Sequence, residues 1–277
     1  MRALDLSGDT YISPPIQVGW FARIFPSLAF HVRYFVITCS CALQALRGKY
    51  DDDAWAGSSA QMIRFLEGIG VQFEITGLNH LRQVAGPCLV VGNHFSSLET
   101  VVLPAIVQPI KKVTFVVKQS LLDYPIFKHV MRSRDPVAVT QTDPRQDFKL
   151  MMEGGAERLA RGTSIIIFPE GRRSAEFHPE KFNSIGVKLA SRAGVPIVPL
   201  ALETRAWALG KVLSDFGPIN PARKVRFAFG PPLMVEGRGT TEQAEIVEFI
   251  QAKLDLWAAE DAASGVTAEL MPANDAN

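Results

Sequence analysis

The feature that most limits the fold is an alternation of short apolar runs with longer helical stretches. The runs at 71–76, 88–91, 113–117, 164–168, 197–202 and 225–229 are rich in Val, Ile, Leu and Phe. Their lengths and compositions are those of strands. Helical spacing occupies 98–107, 145–161, 180–193 and 241–260, and Ser58 or Ser59 is placed to cap a further helix through Leu66. Strands that alternate with helices predict an α/β sheet with helices on both faces. At 277 residues and 47% hydrophobic content, the chain suffices for one large domain or two small ones. The same content excludes global disorder.

The ends read differently. Residues 1–15 are polar, close on Pro14-Pro15 and are expected to form a flexible lead. Asp5 and Asp9 stand where a secretory signal would carry basic residues, so no signal peptide is expected. Residues 16–46 are apolar and aromatic, with Trp20, Phe21, Phe25, Phe30, Tyr34 and Phe35, interrupted by Arg23, His31 and Arg33. Their longest charge-free run, 34–46, has 13 residues, whereas a spanning helix needs about 20. The segment therefore predicts one or two helices, broken near Pro26, that lie in or dip into one leaflet; the alternative is that they cap the core. Asp51-Asp52-Asp53 opens a new unit, and periodicity fades after 261. The expected organisation is an N-terminal membrane-associated helical segment over 1–50, a main domain over 51–261 and a flexible tail over 262–277.

With 29 Lys and Arg against 28 Asp and Glu, the chain lacks the basic surplus that nucleic-acid binding requires. Residues 111–134 are locally basic, through Lys111, Lys112, Lys118, Lys128, Arg132 and Arg134. Such a run is either a solvated surface or a face turned towards anions. Cys39, Cys41 and Cys88 form neither a disulfide framework nor a zinc spacing, which fits free thiols in a reducing compartment. No metal site is expected.

Two apolar runs end in chemistry. The run 88–91 leads into Gly92-Asn93-His94-Phe95-Ser96-Ser97-Leu98-Glu99. Ligands gather at the carboxyl ends of strands in α/β sheets, so His94 stands where a catalytic group belongs. Glu99, five positions on, can return its carboxylate to the imidazole, fix the tautomer and leave the other ring nitrogen as a base. A substrate that brings its own hydroxyl makes a protein nucleophile unnecessary. The run 164–168 leads into Pro169-Glu170-Gly171-Arg172-Arg173-Ser174. Gly171 permits a tight turn, the two arginines offer forked donors for phosphate or carboxylate, and Glu170 can accept from a polyol hydroxyl. Taken singly, each motif also fits a structural role.

Together the motifs resemble the 1-acylglycerol-3-phosphate acyltransferase family of lysophospholipid acyltransferases. The resemblance covers roughly 70–235. Asn93-His94-Phe95-Ser96-Ser97-Leu98-Glu99 fits the family's Asn-His-x-Ser-x-x-Asp with Glu for Asp, and 168–174 fits Phe-Pro-Glu-Gly-Thr-Arg-Ser with Arg172 for Thr. Lys118-Gln119-Ser120-Leu121 leading to Pro125 and Phe127 resembles a third block, with Lys128 where Gly is usual. Val195-Pro196-Ile197-Val198-Pro199-Leu200 resembles a fourth.

The resemblance implies a mixed sheet flanked by helices, preceded by a two-helix membrane motif. It implies that His94 and Glu99 are catalytic, and that Arg173, helped by Lys118 or Arg172, holds the acceptor phosphate. Glu170, Gly171 and Ser174 join these as substrate-binding residues, and backbone N–H groups of the Asn93 loop are expected to meet the tetrahedral oxyanion. The implied reaction moves a fatty acyl group from acyl-CoA or acyl-carrier protein, as co-substrate and without a cofactor, to the hydroxyl of a lysolipid. The expected acceptor is lysophosphatidate, in phospholipid biosynthesis on the cytoplasmic side of the cell membrane, with the enzyme monotopic or peripheral. Arg172 adds a cation beside Arg173, which either favours a more anionic head group or pairs with Glu176. Two rival readings of the function stay open. One is a different acceptor, such as a lyso-ornithine or other amino-acid lipid; the other is a non-catalytic lipid-binding protein.

Overall fold

A computed structural model describes residues 4–210 and 215–265. Among the described residues eight strands form one sheet: β1 (Tyr11–Ile12), β2 (Phe73–Thr76), β3 (Leu89–Gly92), β4 (Val113–Lys118), β5 (Val137–Val139), β6 (Ser164–Ile167), β7 (Ile197–Glu203) and β8 (Val225–Phe229). Their order is β1-β2-β8-β7-β3-β6-β4-β5. From β7 to β5 every pairing is parallel, β8 runs antiparallel to β7, and β1 antiparallel to β2. The sheet is thus mixed and buried on both faces. Alternation within the central strands divides the core in two. Val90, Ile166, Val198, Leu200 and Leu202 face helices α2 (Pro26–Leu46), α3 (Asp52–Gly68) and α5 (Leu98–Val107). Leu89, Val91, Ile165, Ile167, Ile197 and Ala201 face α7 (Pro144–Ala160), α8 (Ile185–Ala193) and α9 (Thr240–Ala263). Short helices α1 (Trp20–Ile24), α4 (Leu78–Gln83) and α6 (Phe127–Arg132) complete the set.

Several expectations change. Residues 4–13 are not a loose lead: Tyr11 and Ile12 pair with β2, and the Tyr11 and Ser13 hydroxyls donate to the buried Glu67 carboxylate at 2.7 and 2.5 Å. Helix α3 starts earlier than the serines suggested, because Asp51 accepts from the Ala54 N–H at 2.8 Å, with Asp52 and Asp53 filling the first turn. These are the residues that suit a helix N-terminus. Ser58 instead donates back to the Trp55 carbonyl. Helix α9 extends to Ala263, and the rest of the expected tail, from 266 onwards, lies outside the described residues.

The break at Pro26 separates α1 from α2 as expected, but α2 runs 21 residues. At 1.5 Å per residue it is about 31 Å long, and by length and composition it is apolar enough to cross a membrane. The sequence estimate was shorter because it stopped at Arg33. One face of α2 belongs to the core. Phe30, Ile37, Cys41 and Ala42 are buried, Phe30 meets Trp207 edge-on at 4.7 Å, and the helix packs on α3 and α6. The opposite face exposes Leu28, Val32, Phe35, Val36, Leu43 and Leu46, beside exposed Trp20 and Phe21 of α1.

The basic run resolves largely into structural contacts. Lys111 donates to the Val84 and Gly86 carbonyls, Arg132 to the Leu122 carbonyl and Asp123, and Arg134 to Asp52 while lying over the Tyr50 and Trp55 rings. Lys118 alone of the candidate site residues in this run is exposed, at the carboxyl end of β4.

The close approach of β3 and β7 tests the packing that positions the site. A Cβ on Gly92 would stand 2.7 Å from the Leu200 carbonyl oxygen. Gly92→Ala is therefore expected to destabilise the protein by about 1–3 kcal/mol, seen as a melting temperature several degrees lower.

Candidate active site

β3 and β6 are adjacent and parallel, so the loops that leave their carboxyl ends stand side by side. Asn93 continues the sheet by other means. Its amide donates to the Leu202 carbonyl at 2.9 Å and its side-chain oxygen accepts the Leu202 N–H at 3.0 Å. The next residue, His94, turns into the site with its side chain 16% exposed.

His94 Nδ1 lies 2.8 Å from Oε1 of Glu99, in the first turn of α5. A carboxylate accepts only, so Nδ1 carries the proton and Nε2 presents a lone pair. The extra methylene of Glu, compared with Asp, does not break the pair. Glu99 is fully buried, and Oε1 also accepts the Phe95 and Ser96 N–H groups at 2.8 Å each. Oε2 lies 2.9 Å from the Ser96 hydroxyl and 2.7 Å from that of Thr204. Burial pushes this carboxyl up, but the His94 bond and charge, the Thr204 hydroxyl and the Ser96 amide outweigh it and hold it below the usual carboxylate range.

The second loop is laced to the first. Phe168 stacks on the imidazole, centroids 4.4 Å apart and planes 6° from parallel. Glu170 Oε2 accepts the His94 N–H at 2.9 Å and Oε1 the His178 N–H at 3.4 Å, while Ser174 N–H donates to the His94 carbonyl at 3.0 Å. Burial pushes the Glu170 carboxyl up, against the pull of those two amides and of the His94 and His178 charges. Gly171 turns the loop at φ 70°, its N–H on the Phe168 carbonyl. Arg173 donates to the Ser97 hydroxyl and pairs with Asp215, which also accepts from Ser97 at 2.8 Å. Arg172 points outward and, among the described residues, makes no ion pair with Glu176.

His94, Glu99, Glu170, Gly171, Arg173 and Ser174 thus converge, with Lys118 on the same sheet edge two strands from β3. One expectation is corrected. The His94, Phe95 and Ser96 N–H groups all donate to carboxylates, so they are not available to an oxyanion. The fourth sequence block is the centre of the sheet: β7 sets the register of β3, pairing Val91 with Pro199 and Gly92 with Leu200. The sequence did not single out Thr204, Asp215 or Arg205, which forks onto Glu203 and lies 4.7 Å from the Phe95 ring centroid. Thr204 follows β7 directly, so the strand-end rule alone would have flagged it. Among the described residues no three His, Cys, Asp or Glu side chains gather as a metal set.

A histidine–carboxylate pair thus stands beside an arginine from the loop after the neighbouring strand. The family model described as "Acyltransferase" matches residues 72–203, which include both loops and Thr204's neighbour Glu203. Those residues, just under half of the chain, carry an acyltransferase domain. The 1-acyl-sn-glycerol-3-phosphate acyltransferase of Pseudomonas aeruginosa is 28% identical to this acyltransferase over 183 residues, 66% of this chain and 67% of that protein. The chloroplastic 1-acyl-sn-glycerol-3-phosphate acyltransferase BAT2 of Brassica napus is 30% identical over 129 residues, 47% of this chain and 36% of its own length. The chain thus spans well under half of the plant relative. The solved structure of the 1-acyl-sn-glycerophosphate (LPA) acyltransferase, PlsC, from Thermotoga maritima shares the fold, with a TM-score of 0.66 at 18% identity over 86% of this chain and 97% of that one.

The depressed Glu99 carboxyl makes a pH prediction for this acyltransferase. Its folded value lies below its unfolded value, so its stabilising contribution is complete above the unfolded pKa of about 4.3 and is lost as pH falls towards the folded value. Acid denaturation followed by circular dichroism is expected to show a shallower fall in stability below that pH for Glu99→Gln than for the unaltered protein.

Proposed function

We propose that this acyltransferase moves a fatty acyl group from acyl-CoA or acyl-carrier protein to the free hydroxyl of 1-acylglycerol-3-phosphate, making phosphatidate for phospholipid biosynthesis. The observation that carries the reading is the 2.8 Å His94–Glu99 pair at the carboxyl end of β3, which leaves Nε2 free as a base. Nε2 takes the proton of the acceptor hydroxyl as its oxygen attacks the thioester carbonyl. The tetrahedral intermediate collapses, the C–S bond breaks, and the imidazolium returns the proton to the departing thiolate. Glu99 stabilises the imidazolium between these steps. Arg173 and the Ser97 hydroxyl, already gathered on a carboxylate oxygen of Asp215, have the donor chemistry to hold the acceptor phosphate. The names of the Pseudomonas and Brassica relatives support this acceptor.

A second acceptor class has its own observation. The Asp215 carboxylate already answers the Arg173 charge, which favours an amino-acid lysolipid with a less anionic head group. Mass spectrometry of products from a panel of lysolipids, with both thioester donors, separates the two.

The exposed apolar face of α1 and α2 fits the membrane that holds the lysolipid acceptor. Ser27 accepts the Ile219 N–H at 2.9 Å, His31 lies 2.9 Å from the Gly217 carbonyl, and Cys41 and Ala42 are buried near the other end. A helix bound along its length to the globular domain lies on one leaflet rather than crossing, which makes the protein monotopic, on the cytoplasmic side where the thioester donors are made.

Two outcomes follow. His94→Ala is expected to lower kcat by about 10²–10⁴-fold in a thiol-release assay, with the circular dichroism spectrum unchanged; a rate near that of the unaltered protein refutes the mechanism. The triple variant Leu28→Ser, Val32→Ser, Phe35→Ser is expected to shift the protein from liposomes to the supernatant in flotation assays while retaining activity on detergent-dispersed acceptor.

A further inference from the structure

The His94–Glu99 pair is fixed from outside both of the loops that carry the family motifs. Thr204 is fully buried, one residue beyond β7, and its hydroxyl lies 2.7 Å from Glu99 Oε2. The two carboxylate oxygens are served unequally. Oε1 has three donors: the His94 ring and the Phe95 and Ser96 amides. Oε2 has two hydroxyls, of which one is contested. Ser96 Oγ is 2.9 Å from Glu99 Oε2 and 3.0 Å from the Thr204 carbonyl, and it has a single proton to give. Thr204 is the uncontested donor to Oε2.

We propose that Thr204 is a positioning residue that holds the Glu99 carboxylate in the orientation that makes His94 Nε2 a base. The proposal rests on the reading of His94 as that base. Three features support a role in orientation. Glu99 has one more side-chain torsion than an Asp in its place, so a carboxylate pinned through Oε1 alone keeps a freedom that Asp would lack. Its burial leaves no solvent to replace a missing donor. Thr204 is itself placed by the site: Asn93, the residue before His94, clamps both polar groups of Leu202, two residues before Thr204. The order of dependence runs from Asn93 to Leu202, Thr204, Glu99 and His94, and closes on the residue next to Asn93.

The test separates the hydroxyl from the methyl. Thr204→Val keeps the shape and removes the donor. It is expected to lower kcat by about tenfold or more, the scale of one hydrogen bond to a charged group, with KM for both the lysolipid and the thioester within twofold. Thr204→Ser and Thr204→Ala both lack the methyl and differ in the hydroxyl. Their kcat values are expected to differ by a similar factor in favour of Ser, which decides the question even if the Val variant fails to fold. A Ser-to-Ala ratio below two, or a well-folded Val variant with unchanged kcat, overturns the proposal; so does a loss carried by KM alone. His94→Ala is measured alongside. If it is inactive while Thr204→Val is normal, only the role of Thr204 fails. If His94→Ala is itself fully active, the reading of the base fails with it.

Discussion

The site is built around a charge buried where no water can reach it. An ionised carboxylate in the interior is tolerated only when its lone pairs are filled, and the Glu99 donors come from the His94 ring, from the amides of the loop and from the end of another strand. Each donor needs a feature of the fold. The amides need the loop to turn directly out of β3, which Gly92 allows by letting the Leu200 carbonyl come close. The Thr204 hydroxyl needs β7 to end level with that loop. The Asn93 clamp on Leu202 secures this beyond the last rung of the ladder, the pair Gly92 and Leu200.

The loop after β6 does related work with a different group. Its Glu170 accepts the His94 N–H, its Ser174 N–H donates to the His94 carbonyl, and its Phe168 lies flat on the imidazole. His94 is therefore gripped at ring, backbone nitrogen and backbone oxygen by groups from two adjacent strands. That rigidity suits the role proposed for His94, because the ordering is complete before any substrate arrives.

What could be read from the sequence was whatever is written in neighbouring residues. Six strands and the main helices follow from apolar runs and periodicity, and the His94–Glu99 bond joins residues five apart. The two-residue β1 and three-residue β5 are too short to show a pattern; they exist because an edge of the sheet receives them. The length of α2 was hidden by Arg33, a charge that ends an apolar run on paper but not a helix. Contacts between distant residues were out of reach. Glu170 meets His94 across 76 residues, Thr204 meets Glu99 across 105, and Asp215 meets Ser97 across 118. The basic run misled for the same reason, since nothing local shows that Arg134 is spent on Asp52 and two rings. The loop amides misled too, because the carboxylates that consume them include one from the next strand.

Helix α2 has one face for the core and one that is bare, and some partners of its core face lie far along the chain: Trp207, Gly217 and Ile219. Ser27 is synthesised 192 residues before Ile219, whose N–H it accepts. At 5–20 residues per second that is roughly ten to forty seconds before the core face is fully covered. The bare face that fits a membrane surface is thus made before the domain that shelters the other side of its helix is complete.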